Sequence, residues 1–495
     1  MPKKSDSVFS ISPSNGFNAE KYKALLEGLE ISEVKFSYIK LNDIFRVDSN
    51  YFQKIFLQQE QSISKAKSKT LAELDCDLKS FGAYSLNNHV EYLDNGVPFI
   101  RGINLKKGRI TFNDVIYISN EAHKLLWKSE VHPKTILLSM SGTIGDVAIA
   151  SESLKYPINS NQDIAKIYCS EQLNPYYLYT FLSSYFGQNY LIREARGSVQ
   201  QHVFLSQIEK FQIPEFSTIF DKAIESLVKN ADLSDSHSKQ CYEKSENLLL
   251  ETLGMANFSP SAKKVNIRSF KDSFAATSRL DAEYYQPKYE EVGNKLQQYG
   301  YDALDSFIDN YSTGYPYSSD SYLDEGLPLI RINNIKDGSL DVSDCAFIPL
   351  TDIVLSPKDL ANSGDILISM SGSIGNSCKI HEGIKAVVNQ RIMRITPKGY
   401  HVDVLTLIIN SIVGKSQLER IGTGGVQTNI SATDIKQILI PKIDAETQTK
   451  IAALVQQSFS LKAESERLLD AAKQAVETAI ETNEDAALAW LASIH

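Results

Sequence analysis

Two ten-residue segments carry the side chains of this sequence that are best suited to bind a ligand through hydroxyl or backbone N–H groups. They read ILLSMSGTIG from Ile136 to Gly145 and ILISMSGSIG from Ile366 to Gly375, and eight of the ten positions are identical. Serine and threonine hydroxyls beside glycines can hydrogen-bond to phosphate oxygens, and glycine permits the positive φ of a tight turn. A strand that enters such a turn explains the same pattern without any ligand. Both interpretations stay open at this point.

The motifs of a self-contained enzyme are missing from the sequence. There is no GxxxxGK[ST] phosphate loop, no HExxH or paired-cysteine metal set and no GxSxG nucleophile. The fragment NPYY, from Asn174 to Tyr177, is similar to the Asn-Pro-Pro-Tyr loop of amino-methyltransferases but lacks the second proline. We predict instead a helix start, with Asn174 as N-cap and Pro175 in the first turn. We therefore expect a non-catalytic chain with no catalytic residue, no metal site and no cofactor of its own.

Composition and charge narrow the class of protein. Of 495 residues, 42% are hydrophobic and 22% are charged, which is typical of a soluble globular protein. No apolar run approaches the roughly 18 residues that cross a bilayer, and the five cysteines are scattered. We expect a cytoplasmic protein without membrane association. The net charge of −9 argues against tight DNA binding by the chain alone, because phosphate contacts come from Lys and Arg. It does not exclude a basic surface on one part of the chain.

The chain is one unit written twice, and this duplication decides the predicted architecture. The offset between matching positions drifts only from 233 to 227, and the order of the segments is kept. The further matching pairs are RVDSNYFQK and RLDAEYYQPK, VPFIRGIN and LPLIRINN, NQDIAKI and NQRIMRI, and GSVQQHVFLSQIEKFQIP and GGVQTNISATDIKQILIP.

A helical segment of roughly 40 residues follows each copy, with apolar residues at a spacing of three to four. We expect the two helices to bury their apolar stripes against each other as an antiparallel coiled coil. A short echo of residues 246–258 in residues 19–31 predicts an N-terminal helix that completes the repeat. The predicted domains are an N-terminal segment 1–31, a first globular domain 32–214, a central long helix 215–258, a second globular domain 259–441 and a C-terminal long helix 442–495.

Each globular domain is predicted to be α+β. Short runs of Ile, Val, Phe and Tyr, such as PFIRGINL and IAKIYC, are bounded by Gly, Asn and Asp and predict strands. Residues 175–191 and 402–418 predict one helix in each copy. The predicted fold is therefore a pair of homologous mixed α/β domains separated by two long antiparallel helices, with approximate two-fold symmetry.

Taken together, the doubled SMSG, Asn-Gln and glycine-rich segments and the helix after each copy resemble the specificity (S) subunit of Type I restriction–modification systems. The resemblance covers nearly the whole chain, from about Phe17 onward. It implies that each globular domain is a target-recognition domain that reads one half of a split sequence in double-stranded DNA. It also implies that the helices fix the spacer and dock two modification subunits, which bind S-adenosylmethionine and methylate a flipped-out adenine. A restriction subunit, where present, adds cleavage driven by ATP and Mg²⁺.

Three other functions stay open on the sequence. The chain can be a free-standing DNA-binding or decoy protein, the specificity subunit of a Type IIB-like methylase and nuclease, or a methyltransferase in its own right. A pull-down without any modification subunit would favour the first, and binding of S-adenosylmethionine by the isolated chain would favour the last.

The duplication also divides the candidate DNA contacts. If the domains read different half-sites, residues identical in both copies cannot discriminate, so the SMSG serines are scaffold or phosphate contacts. Discrimination is expected where matching loops diverge and offer Arg, Lys, Gln or Asn to the major groove. Any single Lys or Arg among them is equally consistent with a solvated surface. The predicted DNA-binding residues are Arg101, Asn104, Lys106, Lys107, Arg109, Ser141, Thr143, Arg196, Gln200, Gln201, His202, Arg331, Asn333, Asn334, Lys336, Ser371, Ser373, Arg391, Gln427, Thr428 and Asn429.

Overall fold

Two compact units make up the chain. The computed structural model describes residues 18–40, 46–80, 90–197, 201–263, 265–343, 345–422 and 429–494. Unit 1 comprises Met1–Asp232 together with Ser465–His495, and unit 2 comprises Leu233–Glu464. Each unit therefore contains one copy of the repeat and a part of each long helical segment. The domain ends that we place at residues 31, 214, 258 and 441 stay predictions.

Unit 1 is built from short helices and strands, as its β-branched and aromatic runs predict. Its helices before the first long helix are α1 (Ala19–Leu26), α2 (Phe36–Ile39), α3 (Lys54–Lys65), α4 (Asn120–Leu125), α5 (Pro175–Ser183), α6 (Tyr185–Glu194) and α7 (Leu205–Ile208). Its strands are β1 (Ser68–Thr70), β2 (Asp77–Lys79), β3 (Val97–Ile100), β4 (Leu105–Lys106), β5 (Arg109–Ile110), β6 (Ile116–Ile118), β7 (Glu130–Val131), β8 (Ile136–Ser139), β9 (Val147–Ile149), β10 (Ile158–Ser160), β11 (Ile164–Tyr168) and β12 (Gln212–Pro214).

Two four-stranded sheets form the centre of unit 1. Their strand orders are β6-β3-β10-β7 and β2-β11-β8-β9, and β1 pairs separately with β12. Strands β3 and β10 run parallel, whereas the neighbours of β8 and β11 are antiparallel. All four residues of β8 are buried, so this strand is covered on both faces. The SMSG segment therefore begins inside the core and leaves it only at its turn.

Unit 2 contains the corresponding elements of the second copy. Its helices are α9 (Phe274–Thr277), α10 (Pro287–Gln297), α11 (Val402–Asn410), α12 (Ile412–Gly422) and α13 (Ala432–Lys436). Its strands are β13 (Tyr301–Ala303), β14 (Ile308–Ser312), β15 (Leu327–Ile330), β16 (Ala346–Ile348), β17 (Leu360–Ala361), β18 (Ile366–Ser369), β19 (Ser377–Lys379), β20 (Ala386–Val388), β21 (Ile392–Pro397) and β22 (Leu439–Pro441).

The two four-stranded sheets and the separate strand pair of unit 2 repeat those of unit 1, whereas the counterpart of the β4–β5 hairpin is an isolated bridge between Ile335 and Leu340. The sheet orders are β16-β15-β20-β17 and β14-β21-β18-β19, with β13 paired to β22. Strands β15 and β20 are again a parallel pair, and β18 is again fully buried. The predicted fold class, two homologous mixed α/β domains with two long helices, is confirmed.

The long helices are α8 (Thr218–Thr252, 35 residues) and α14 (Ala445–Glu481, 37 residues). In unit 1 they pair in opposite directions, because the Ser465 hydroxyl donates to the carbonyl of Ala231 while the N–H of Ser217 reaches Glu484, just past the end of α14, at 2.9 Å. In unit 2 the Ser238 hydroxyl on α8 donates to the carbonyl of Ser458 on α14 at 2.8 Å. The predicted pairing of the two helices is confirmed.

The apolar stripes of the long helices do more than pack against each other, which corrects our expectation. In unit 1, Ile224 of α8 and Ala475 of α14 belong to the same buried cluster as the residues of β8 and β11. In unit 2, Leu249 of α8 and Ile451 of α14 join the cluster that contains β18 and β21. Each part of a long helix is therefore also a wall of its unit's core.

Three of the predicted helices are interrupted. Residues 175–191 and 402–418 each form two helices, because Ser184 and Ser411 adopt an extended backbone between them. The two helices cross closely at Gly187, where a Cβ would lie 2.3 Å from a carbonyl oxygen, and Gly414 repeats this approach in unit 2. The C-terminal segment breaks after α14 and continues as α15 (Glu484–Ser493), which Asn483 caps.

The NPYY fragment begins α5, as predicted. The Oδ1 atom of Asn174 accepts a hydrogen bond from the N–H of Tyr176 at 2.9 Å, and Pro175 occupies the first turn. The Nδ2 group of Asn174 donates to Glu225 on α8 at 2.9 Å. Asn174 is therefore a helix cap that also ties α5 to the long helix.

Candidate nucleic-acid interface

Each SMSG segment ends its buried strand in a tight turn. The two glycines of each turn have φ between +68° and +98°, so the predicted positive-φ turn is confirmed. Ser141 and Ser371 are half-buried at the start of the turns, and Thr143 and Ser373 are exposed. The turns therefore bring small hydroxyl side chains and glycine N–H groups to the surface.

Four segments of unit 1 that are distant in sequence meet at its SMSG turn. The backbone of His202, in the glycine-rich loop, pairs with Ser141. The N–H of Met140 donates to the carbonyl of Asp163, beside the Asn-Gln pair, at 2.7 Å. A Cβ at Gly102 would lie 3.3 Å from the hydroxyl of Ser139, the last residue of β8. The turn after β3 is therefore the fourth segment at this place. We name residues 101–104, 139–146, 161–163, 196–197 and 201–203 the unit 1 loop cluster.

Unit 2 assembles the same cluster from its own copies. Asn429 pairs through its backbone with Ser371, and the N–H of Met370 donates to the carbonyl of Arg391 at 2.9 Å. Because β15 and β20 are parallel neighbours, the turn 331–334 and the Asn-Gln pair leave the sheet at the same edge. We name residues 331–334, 369–376, 389–391 and 429–430 the unit 2 loop cluster. Segments that the sequence predicted only as repeats thus lie together in both units.

The asparagines of the Arg-x-x-Asn turns have a structural role in the fold, and their contact with DNA stays a prediction. Asn104 is fully buried; its Oδ1 accepts from the N–H of Arg101 at 3.0 Å and its Nδ2 donates to the carbonyl of Asn113 at 3.0 Å. Asn334 is 1% exposed and makes the same two bonds in unit 2. Both amides therefore hold the backbone of their own turn in place. Their identity in both copies was the signal that they belong to the scaffold.

The arginines at the start of these turns lie half-buried beside the loop clusters. The guanidinium of Arg101 donates to the carbonyl of Asp114 at 2.8 Å. The guanidinium of Arg331 lies 5.9 Å from the ring centroid of Tyr322. Both side chains are held in place by the unit itself, and their role as phosphate clamps stays a prediction.

The β4–β5 hairpin carries Lys106, Lys107 and Arg109 against the long helices. Arg109 donates to the carbonyl of Ala231 on α8 at 3.4 Å and to the hydroxyl of Ser465 on α14. The guanidinium therefore anchors the hairpin to the helices, and its predicted contact with DNA stays a prediction. Lys106 and Lys107 are exposed, and Lys107 occupies the turn with φ +49°.

The matching turn of unit 2 also approaches a long helix. A Cβ at Gly338 would lie 2.8 Å from the phenol oxygen of Tyr242 on α8. Lys336 and Asn333 are exposed, and the Lys336 ammonium donates to the carbonyl of Asn333. Their contact with DNA stays a prediction.

The remaining predicted contacts lie in the loop clusters or outside the described residues. Arg391 is exposed with φ +71°, and Gln201 and Asn429 are exposed in the glycine-rich loops. Gln200, Gln427 and Thr428 lie outside the described residues.

Sequence reasoning missed an aromatic side chain at the unit 1 glycine-rich loop. Phe204 is 49% exposed, and its ring lies edge-on at 4.7 Å from the His202 ring. Arg196 pairs with His202 through both backbone groups, at 3.0 and 2.7 Å. Exposed aromatic rings beside cationic side chains are a common means of holding nucleic acids. The adjacency of Phe204 to the loop was visible in the sequence, but its exposure was not.

A buried cation lies in the central sheet of each unit. Lys166 of β11 has no exposed surface; its ammonium donates to the Ser160 hydroxyl at 3.1 Å, and burial lowers its pKa to about 7. In the matching strand β21, Arg394 pairs with Asp365 at 3.0 Å. Over the described part of the chain, no group of three or more His, Cys, Asp or Glu is placed to hold a metal ion.

The model of the family described as "Type I restriction modification DNA specificity domain" matches residues 34–215 and 305–471, which correspond to the two repeats. The specificity subunit of the Type I restriction enzyme EcoBI from Escherichia coli is 22% identical over 394 residues, which are 77% of this chain and 76% of that subunit.

Solved structures give further similarities. The Type I restriction–modification S subunit from M. genitalium is 16% identical, with 84% of this chain and 95% of that chain covered and a TM-score of 0.40. The HsdS subunit from Thermoanaerobacter tengcongensis is 13% identical, with 84% and 97% covered and a TM-score of 0.29. In the residues that the structure describes, none of the helices combines the length and apolar character needed to span a membrane. Because the family model matches both repeats and more than half of the sequence, the chain belongs to the Type I restriction modification DNA specificity domain family.

Proposed function

We propose that this chain is the DNA-specificity subunit of a Type I restriction–modification complex and that each unit reads one half of a split double-stranded target. The observation that carries the proposal is the loop cluster, which each unit builds from the same four segments. Family membership supports it. Two copies of one surface suit two half-sites, whereas a single active site would need only one.

The shared and divergent residues of the clusters take different roles in this proposal. Ser141, Thr143 and their unit 2 counterparts hold the DNA backbone, because they are nearly the same in both units and phosphate contacts carry no sequence information. Base reading falls to exposed or half-exposed residues that differ, including His202 in unit 1 and Arg391 and Asn429 in unit 2. Gln or Asn suits adenine and Arg suits guanine in the major groove.

The proposal assigns the chemistry to partner subunits. Two modification subunits dock on the long helices, bind S-adenosylmethionine and methylate adenine after flipping it from the duplex. Restriction subunits, where present, supply cleavage driven by ATP and Mg²⁺. Apolar side chains of α8 support a docking role, since Ile219 is 71% exposed and Leu233 is 56% exposed.

An exchange of one recognition segment tests the proposal. Residues 85–214 are replaced by the matching segment of a related specificity subunit whose target is known. Methylated adenines are then sequenced in cells that also express the modification subunit. One half of the methylated motif should change and the other half should stay, because only unit 1 has a new loop cluster.

The reciprocal exchange of residues 315–441 is the matched control, and it should change the opposite half. A motif that stays the same after both exchanges contradicts the proposal, as does a change of both halves after either exchange. Recovery of this chain from cells without any modification subunit would favour the free-standing DNA-binding function instead.

A further inference from the structure

Unit 1 contains a cluster of two arginines on one tyrosine ring. The guanidinium carbons of Arg46 and Arg193 lie 4.5 and 4.2 Å from the ring centroid of Tyr51. Arg46 also makes two hydrogen bonds to the carboxylate of Asp48, at 2.7 and 2.9 Å. Arg193 pairs with Glu60 at 3.1 Å. Each cation therefore has its own carboxylate, which offsets the repulsion between the two guanidinium groups.

The cluster joins the chain before α3 to the last turn of α6. Arg46 donates to the main-chain carbonyl of Arg193 at 2.9 Å, and Arg193 donates to the main-chain carbonyl of Tyr51 at 3.1 Å. The side chains of Arg46 and Arg193 are only 13% and 7% exposed. A cation at the end of a helix satisfies terminal carbonyls that lack partners within the helix. The glycine-rich loop begins directly after this helix end.

Unit 2 repeats the cluster with equivalent residues. Arg279 and Arg420 lie 4.5 and 4.4 Å from the ring centroid of Tyr284, and Asp281 accepts two bonds from Arg279, at 2.8 and 2.6 Å. Arg279 donates to the carbonyl of Ile421 at 2.9 Å, one position further along than in unit 1. Arg420 donates to the carbonyl of Tyr284 at 3.1 Å. The second helix end, that of α12, is thus held as the first is.

The shared component of the two clusters is the aromatic ring. In unit 1, burial and the neighbouring carboxylate of Glu194 raise the pKa of the Tyr51 hydroxyl to about 12. In unit 2, Ile421 is the residue after Arg420 and offers no carboxylate at that place. A role common to both units therefore belongs to the ring and its two guanidinium partners, not to the hydroxyl.

We propose that Tyr51 and Tyr284 are positioning residues for DNA reading, and this inference rests on the proposed function. Each ring fixes the helix end from which its unit's glycine-rich loop departs. In unit 1 the loop then returns to the SMSG turn through His202, and in unit 2 through Asn429. Without the ring, the helix end is no longer held in place, and the glycine-rich loop shifts relative to the SMSG turn. Neither tyrosine contacts DNA in this proposal.

The test uses the full chain with its modification subunits. The variants are Tyr51→Leu and Tyr284→Leu, with Tyr51→Phe and Tyr284→Phe as matched controls that keep the ring. Methylation rates are measured on a duplex with the intact target and on two duplexes with one half-site scrambled. The target and the half read by each unit come from the exchange experiment.

Tyr51→Leu should lower discrimination at the unit 1 half-site by about tenfold or more and leave the other half-site unchanged. Tyr284→Leu should give the reverse pattern, and both Phe variants should resemble the wild type. Unchanged discrimination in the Leu variants overturns the proposal, as does equal loss at both half-sites or failure of the Phe variants. A wild type with no sequence preference would instead contradict the proposed function itself.

Discussion

Lys166 places an ammonium group inside the central sheet of unit 1, where it donates a hydrogen bond to the hydroxyl of Ser160 at 3.1 Å. Removing a charge from water without a counter-charge disfavours the charged form, which is why burial lowers the pKa of Lys166 to about 7. Arg394 shows the other solution in the matching strand, since it pairs with Asp365 at 3.0 Å. Unit 1 therefore buries its cation against a neutral hydroxyl, whereas unit 2 pairs its buried cation with a carboxylate.

Lys166→Met should stabilise unit 1, most strongly at pH 7 and below. The pKa is 10.5 in an unfolded chain and about 7 in the fold, so between these values the unfolded chain binds more protons. Wild-type stability therefore rises with pH across this window, and the full penalty is present at pH 7 and below. The advantage of the variant in free energy of unfolding should shrink by about 1.4 kcal/mol per pH unit as the pH rises through the window.

Urea unfolding followed by tryptophan fluorescence measures this effect selectively. The chain has two tryptophans, Trp127 and Trp490, and both lie in unit 1. An advantage that does not depend on pH would show that Lys166 keeps its ordinary pKa in the fold.

At the scale of single residues, the sequence predicted backbone roles better than side-chain contacts. The caps and positive-φ glycines were predictable because they follow from local geometry, as at Asn174 and the SMSG turns. The structural role of Asn104 was not predicted, because an asparagine beside an arginine suits a base as well as a turn. Only the fold shows that its amide is enclosed. Tyr51 was visible in the repeated Arg-x-Asp segment, but its partner Arg193 lies far along the chain.

The β4–β5 hairpin is an element whose position depends on one glycine. Gly108 has φ +80°, and a Cβ there would lie 2.2 Å from the phenol oxygen of Tyr179. The Tyr179 hydroxyl also donates to the carbonyl of Gly108 at 3.0 Å. Tyr179 is 3% exposed, so it has little room to move away from an added side chain.

Gly108→Ala should therefore destabilise unit 1 more than Gly142→Ala. Both positions have a positive φ, +80° and +76°, so alanine costs about 1–2 kcal/mol of backbone strain at either. Gly142 has nothing within 4 Å of the added Cβ, whereas Gly108 adds a clash worth about 1–3 kcal/mol. Tryptophan fluorescence during urea unfolding measures both variants. Equal losses would mean that the hairpin can shift away from Tyr179 without penalty.

Elements were predictable where one pattern runs through the whole element. The buried strands β8 and β18 followed from their apolar runs, and the long helices followed from their spacing. The break between α5 and α6 at Ser184 could not be predicted, because apolar residues continue on both sides of it. The contact of the hairpin with the long helices through Arg109 could not be predicted either. A charged residue in a hairpin is normally expected to be exposed to solvent.

The charge of the whole molecule limits what it can do alone. The chain has 51 Lys and Arg but 60 Asp and Glu, and the resulting net charge of −9 disfavours its approach to the DNA backbone. Phosphate neutralisation by Lys and Arg supplies most of the sequence-independent part of DNA affinity. In the proposed complex, the modification subunits supply many of these phosphate contacts.

The isolated chain should accordingly bind a labelled duplex weakly, with a Kd no tighter than about 10 µM at physiological salt. Addition of the modification subunits should tighten binding to the target by about a thousandfold or more. Fluorescence anisotropy of the labelled duplex measures both values. Nanomolar binding by the chain alone would contradict this division of labour and would favour a free-standing DNA-binding protein.

Unit 1 is discontinuous, since it is completed by Ser465–His495, whereas unit 2 is the unbroken stretch Leu233–Glu464. On a ribosome, the N-terminal copy is therefore the first to emerge and the last to be finished. The nascent chain must carry apolar residues of α8, such as Ile224, without their α14 partners until Ser465–His495 has been synthesised. A truncation that removes α15 and the final turns of α14 should therefore damage unit 1, whose synthesis begins first, and leave unit 2 intact.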